Sequence, residues 1–364
     1  MCIRDRIAMD NPEYKNLYNV VKKTATDLDV SVVSIESGFG SEELPDWGGR
    51  HFRLLNKPQI AILSHEGFNS YDVGVSWWSL DHHLGIRHSQ LNSSLLSYGD
   101  LRRYNTIILP SGNPDIGNYS KEILIDWVKQ GGTLIANNRA ARLIASSGDF
   151  GDVKLLQQTF EDNESFNIDL MREIYSLNND LNKNEVNLNR VNFEIDYPWE
   201  SVDKTYTKDQ LQMRDKWQSL LMPSGSMVAA RSDQQHWLTF GTDDLIPVLY
   251  ANNPILMTGG NAEAPIRIGE LIKNDEVEEA RALNWSQIPK GFDLNVRMSG
   301  LVWPEASQRI ANSAYLTREK IGKGQVILFS GEPNFRGSTI GTNRIWLNAV
   351  IYGSGLGTST LVTQ

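Results

Sequence analysis

The sequence predicts an α/β fold, an open and mostly parallel sheet with helices on both faces, carrying an inserted, mainly helical subdomain and extra short strands. Three observations predict it. Short apolar runs at 59–64, 106–109, 133–136 and 324–330 have the continuous hydrophobicity of strands buried on both faces. Amphipathic stretches of helical length alternate with them. Gly, Pro and Ser punctuate the junctions, as at Pro110-Ser111-Gly112 and Gly131-Gly132.

Taken in order, 12–28 has helical spacing in Leu17, Val20, Val21, Ala25 and Leu28, and 30–35 alternates like a strand. The Gly-rich stretch 38–49 reads as a linker, and the pattern changes character at Lys57-Pro58. A first strand is expected at 59–64, a helix at 71–84, and a more polar second strand beginning at 85–88. The third strand, 106–109, stops at Pro110. A helix at 121–130, with Ile123, Leu124, Trp127 and Val128 on one face, ends at Gly131-Gly132. The fourth strand is 133–136. Strands and helices alternating in this way imply right-handed crossovers and a sheet covered on both sides.

The alternation breaks at residue 150. Asparagines crowd the following stretch (Asn163, Asn167, Asn178, Asn179, Asn182, Asn184, Asn187, Asn189, Asn192), with a helical segment at 211–221. Short strands are expected at 226–230, 246–250, 255–257 and 296–301, then a helix at 305–311. The run 324–330 should rejoin the sheet, and 343–351 forms a closing helix. The expected organisation is therefore 1–6 as translated adapter sequence ahead of a chain truncated near Ile7, 7–56 as the end of a preceding domain plus linker, 57–149 as core, 150–222 as insertion, and 223–364 as the rest of the core.

Composition narrows the function. With 40% hydrophobic and 22% charged residues the chain is globular in type, and no apolar stretch reaches membrane-helix length. A net charge of -9, with no basic stripe interleaved with aromatics, argues against a nucleic-acid partner. Cys2 is the only cysteine, which removes disulfides and thiolate metal sites. Among the six histidines, His82, His83 and His88 cluster, but helix neighbours point about 100° apart and cannot share an ion, and no His-x-x-Glu pair occurs.

A site in this fold belongs beyond the C-terminal ends of the parallel strands. The candidates there are His65 and Glu66 after the first strand, Ser111 after the third, Asn137 and Asn138 after the fourth, and Glu332 with Arg336 after the last. Such polar groups either bind a small ligand or cap strand ends and helix starts. A nucleophile would occupy the strand-to-helix turn Ala136-Asn137-Asn138-Arg139-Ala140, which has no thiol, hydroxyl or glycine. The ten tryptophans raise carbohydrate chemistry, through Trp77-Trp78 with Asp81 and Trp303 with Glu305, although burial accounts for such residues equally well.

Lys57-Pro58-Gln59-Ile60-Ala61-Ile62-Leu63, Ser70-Tyr71-Asp72-Val73-Gly74, Tyr104-x-x-Ile107-Ile108-Leu109-Pro110-Ser111-Gly112, Trp127-Val128-x-x-Gly131-Gly132-Thr133-Leu134-Ile135-Ala136 and Pro333-Asn334-Phe335-Arg336-Gly337 occur in an order that resembles the C-terminal class I glutamine amidotransferase-like domain of bacterial zinc carboxypeptidases. The resemblance implies a flavodoxin-like core without catalytic residues or metal of its own. It also implies zinc in a missing N-terminal peptidase domain that would be the partner, a peptide substrate, and a periplasmic or secreted location. Its implied role is that of an accessory domain in peptide hydrolysis. The alternatives are a small-molecule or carbohydrate binding module, or a glycoside hydrolase using carboxylates such as Glu332.

Overall fold

The computed structural model describes residues 16–29, 31–32, 39, 55–178 and 206–358. The adapter-like residues 1–6, most of the expected strand at 30–35, nearly all of the linker and the asparagine-rich 179–205 lie outside the described residues. By contacts the chain divides into 1–56 and 57–364. Helix α1 (Leu17–Asp27) belongs to the first unit.

In the second unit the chain runs through β1 (Ile60–Ser64), α2 (Ser70–Asp81), β2 (His88–Asn92), β3 (Thr106–Leu109), α3 (Asn118–Lys129), β4 (Thr133–Asn137) and α4 (Arg139–Ser147). It continues with β5 (Lys154–Leu155), α5 (Asn163–Asn178), α6 (Lys208–Ser219), β6 (Ser224–Ser232), β7 (Leu245–Ala251), β8 (Leu256–Met257) and β9 (Glu263–Ile268). Then come β10 (Glu270–Lys273), β11 (Arg281–Leu283), β12 (Ser286–Ile288), β13 (Phe292–Asn295), β14 (Arg297–Ser299), α7 (Pro304–Ile310), β15 (Ala314–Ile321), β16 (Gly324–Phe329) and α8 (Ile340–Tyr352).

Strands β2, β1, β3, β4 and β16 lie side by side in that order and are all parallel. This is the flavodoxin-like order, whose connections reverse direction between β1 and β3. The alternation of side chains explains why β1, β3, β4 and β16 are apolar through most of their length. Ile60, Ile62, Ile108, Ile135 and Ile327 join Leu80 of α2 and Ile345, Trp346 and Ala349 of α8 on one face. Ala61, Leu63, Ile107, Leu109, Leu134 and Val326 meet Trp127 and Val128 of α3 and Ala140 and Ile144 of α4 on the other. The apolar residues of β1, β3, β4 and β16 thus alternate between two cores, as a parallel sheet covered on both faces requires, whereas β2 at the edge is polar and half-buried.

Beyond β16 the sheet turns antiparallel. Strand β15 pairs with β16 and β9, and β9 leads to β6, which pairs with β7 and β14. The second strand begins three residues later than the expected 85–88, because Gly85 (φ +60) leads the chain out of α2 and the Ile86 N–H bonds back to the Leu80 carbonyl at 2.9 Å. Strands β9 to β13 and β15 have no counterpart in the expected elements. No helix among the described residues is long and apolar enough to cross a membrane.

Candidate functional site

The reversal of connections between β1 and β3 opens a crevice at the C-terminal end of the sheet, and its walls are zipped together. The Asn69 N–H donates to the Ser111 carbonyl at 2.9 Å and the Asn113 N–H to the Gly67 carbonyl at 2.8 Å. The loops approach so closely that a Cβ on Gly112 would stand 2.4 Å from the Gly67 oxygen, so the glycine in Pro110-Ser111-Gly112 is a packing requirement.

A cavity of about 490 Å³ lies there. Asn69, Ser111 and Asn113 line it from the zipped loops, Asn138, Arg139 and Arg142 from the end of β4 and the start of α4, and Glu332 and Phe335 from the segment after β16. The last wall is Leu249, Ala251, Asn252 and Asn253, from the end of β7 and the turn after it. The size is within the range of small-ligand pockets, roughly 300–1,000 Å³.

Asn138 holds the centre. Its backbone angles (φ 46, ψ -109) belong to the strained strand-to-helix turn that in hydrolases of this architecture presents a nucleophile. Here the turn presents an amide. The Asn138 N–H donates to the Phe329 carbonyl at 2.9 Å, its own carbonyl accepts from Arg142 at 2.9 Å, and Nδ2 donates to Glu332 Oε1 at 3.1 Å.

Glu332 also meets Asp72, in the first turn of α2. Burial pushes the Asp72 carboxyl up to about 8, the negative charge of Glu332 and a hydrogen bond to it add to the effect, and Arg139 opposes it. A carboxyl raised to that range keeps its proton at neutral pH, which relieves the repulsion between Asp72 and the Glu332 charge. Beneath Glu332, burial first and then the Glu332 charge push the Tyr315 phenol up as well.

Of the residues expected at strand ends, Ser111, Asn138 and Glu332 line the cavity together. Asn137 is buried and does not line it, and its Oδ1 has no partner among the described residues. His65 and Glu66 are exposed and do not line it, because the positive φ of His65 (71) turns the chain away at the end of β1. Arg336 (φ 52) points along the Phe335 ring instead, 5.1 Å from its centre. Trp78 packs on His83 with ring centres 4.0 Å apart and Trp303 precedes α7, so neither brings Asp81 or Glu305 to the cavity. Among the described residues no group of three or more His, Cys, Asp or Glu is placed to hold a metal ion.

Asp72, Arg139, Arg142 and the Asn252-Asn253 turn are the members that reading strand ends misses. Arg139 and Arg142 carried a signal, since residues three apart on a helix starting at a strand end share one face. Asn252 and Asn253 carried none, because the antiparallel extension brings them.

The site is thus a polar strand-end crevice on a flavodoxin-like sheet. No protein-family model matches the sequence. No curated protein matches it either. Among solved structures, the chain is similar to a ThuA-like protein from Bacteroides uniformis, with 11% identity over 83% of this chain and 94% of that one and a TM-score of 0.39. A ThuA-like protein from Parabacteroides merdae matches with 11% identity, 85% and 93% coverage and a TM-score of 0.39. A β-galactosidase from Bacillus circulans matches over 82% of this chain and 32% of its own, with 11% identity and a TM-score of 0.38. These are ThuA-like proteins and a glycosidase, not zinc carboxypeptidases, and the expected role as an accessory domain in metal-dependent peptide hydrolysis is withdrawn.

Proposed function

We propose that the strand-end crevice binds a small carbohydrate. The observation that carries this reading is the convergence of amide, hydroxyl, carboxylate and guanidinium groups with one aromatic ring on a single cavity of about 490 Å³. A sugar hydroxyl both donates and accepts, so it is matched by walls offering both kinds of group in alternation. Asn113 and Asn252 are exposed where they line the cavity, and Arg139 and Arg142 offer donors without an ion-pair partner among the described residues. Glu332 supplies acceptors, and Phe335 offers a flat apolar face for the C–H side of a sugar ring.

The carboxyl pair fits binding better than glycoside hydrolysis. Hydrolysis requires two carboxyl groups about 5–9.5 Å apart across the bond to be cleaved. Of Asp72 and Glu332 only Glu332 lines the cavity, so the two carboxyls do not face each other across it as a hydrolytic pair would. Glu332 is instead held by the Asn138 amide, which donates to its Oε1 at 3.1 Å, and faces the cavity.

The test is a thermal-shift panel of mono- and disaccharides, neutral and acidic, on the purified chain. A ligand at about 100 times its Kd should stabilise the protein by about 2.7 kcal/mol. Glu332→Gln should abolish the shift, whereas Arg336→Ala, outside the cavity, should leave it intact. A panel without a shift, or a shift removed by Arg336→Ala and kept by Glu332→Gln, overturns the proposal.

A further inference from the structure

A second cavity, of about 430 Å³, opens between α5 and the β6–β9 pair, away from the strand-end crevice. At its floor two arginines stand directly opposite each other, Arg231 on β6 and Arg267 on β9. Like charges across a strand pair are unfavourable unless compensated. Only one is. Glu173 takes Arg267 in a two-pronged ion pair at 2.6 and 2.7 Å, and Asn312 and Thr258 complete its partners at 3.0 and 2.7 Å.

Arg231 is left with backbone carbonyls. Its Nη1 donates to Gly269 at 2.9 Å and to Ile268 at 3.3 Å, while its Nη2 is buried without an acceptor among the described residues. Burial lowers the guanidinium to about 10, the Glu173 charge raises it, and the neighbouring Arg267 lowers it further. A buried donor without an acceptor is destabilising, more so when charged, so this geometry favours an incoming anionic oxygen. The mouth of the cavity has the opposite character: Asp233, Asp244 and Glu270 line it, and none is ion-paired among the described residues. Leu177, Leu245 and Leu271 complete the wall with apolar surface.

We propose that this cavity is a second binding site, taking a free amino acid with an apolar side chain. Its α-carboxylate meets the Arg231 guanidinium, whose covered Nη2 turns toward the cavity on binding, its ammonium group lies among Asp233, Asp244 and Glu270, and its side chain packs on the leucines. A simple anion would meet repulsion from the three acids and a simple amine would leave Arg231 unpaired, so the zwitterion alone satisfies both ends.

Isothermal titration of the full chain with L-leucine, N-acetyl-L-leucine and L-leucine methyl ester tests the assignment. L-leucine should bind, and each blocked form should bind about tenfold more weakly or worse, since each loses a charge-assisted contact. Arg231→Met should weaken L-leucine by at least about tenfold. Asp244→Asn, a change at an exposed rim position, should weaken it severalfold in a chain whose fold is intact by circular dichroism. Glu332→Gln should have no effect, which separates this site from the crevice. Absence of L-leucine binding, equal binding of the blocked forms, or binding unmoved by Arg231→Met and Asp244→Asn overturns the proposal.

Discussion

Replacing Asp72 with asparagine should make the chain more stable than wild type in alkali relative to acid, a reversal of the usual effect of losing a carboxylate. In the folded chain the Asp72 carboxyl is pushed up to about 8, by burial and then by Glu332. In the unfolded chain an aspartate ionises near ~3.9. Between these values the folded state keeps a proton that the unfolded state has released. Stability from this group is therefore fully present below about pH 4 and is lost as pH rises through about 8. The residue as a whole is only half-buried, and after discounting for screening the loss is about 2 kcal/mol. The asparagine of Asp72→Asn does not titrate, and its amide can donate to Glu332 as the protonated acid does. Urea denaturation from about pH 4.5 to about pH 9 should show the variant gaining about 2 kcal/mol on wild type across that range. A difference that stays flat with pH, or that moves the other way, would refute a protonated Asp72 beside Glu332.

Other expectations follow from the same geometry. Gly112→Ala places a methyl 2.4 Å from the Gly67 oxygen and 2.7 Å from Phe68 Cα, both backbone atoms, and should cost about 1–3 kcal/mol while exposing the zipped loops to hydrogen exchange. Unchanged protection of residues 67–69 would contradict it. At Asn138 the angles φ 46 and ψ -109 favour glycine over alanine, so Asn138→Gly should be at least about 1 kcal/mol more stable than Asn138→Ala in chemical denaturation. Equal midpoints would show that the turn is not strained. Asp215 and Arg309 form a buried ion pair at 2.8 Å, with side chains 9% and 7% exposed. Asp215→Asn, which strands the arginine, should cost about 3–5 kcal/mol, and a loss below about 1 kcal/mol would contradict that role.

The parallel half of the sheet was legible because residues such as Ile62, Ile108, Ile135 and Ile327 on one face and Leu63, Leu109 and Leu328 on the other fill those strands with apolar side chains. The antiparallel half was legible only in part: β6, β7, β8 and β14 lie where short strands were expected, but β9 to β13 and β15 were not foreseen. β15 mixes apolar Tyr315 and Leu316 with Arg318, Glu319 and Lys320, and β10 and β13 have only half-buried or exposed faces, so neither periodicity nor apolar content stands out. The site followed the same division. Positions directly after parallel strands could be named from sequence, and Ser111, Asn138 and Glu332 line the cavity. His65 and Arg336 did not follow because a positive φ, invisible in the sequence, turns each of them aside. Asp72 lies in a stretch quoted for its resemblance, but its role depends on meeting Glu332 across the sheet end, a contact between residues far apart in the chain.

The most direct test of the central claim is isothermal titration of a carbohydrate from the thermal-shift panel into wild type, Asn113→Ala and Asn252→Ala. Both asparagines are exposed where they line the cavity; removing Asn113 should leave stability unchanged, whereas Asn252 has a positive φ (56) that alanine adopts only with strain, so its loss should cost about 1 kcal/mol without unfolding the chain. Each should weaken the sugar about tenfold through loss of hydrogen bonds made only to ligand. Binding that is indifferent to both substitutions would place the sugar elsewhere and contradict the assignment of the crevice.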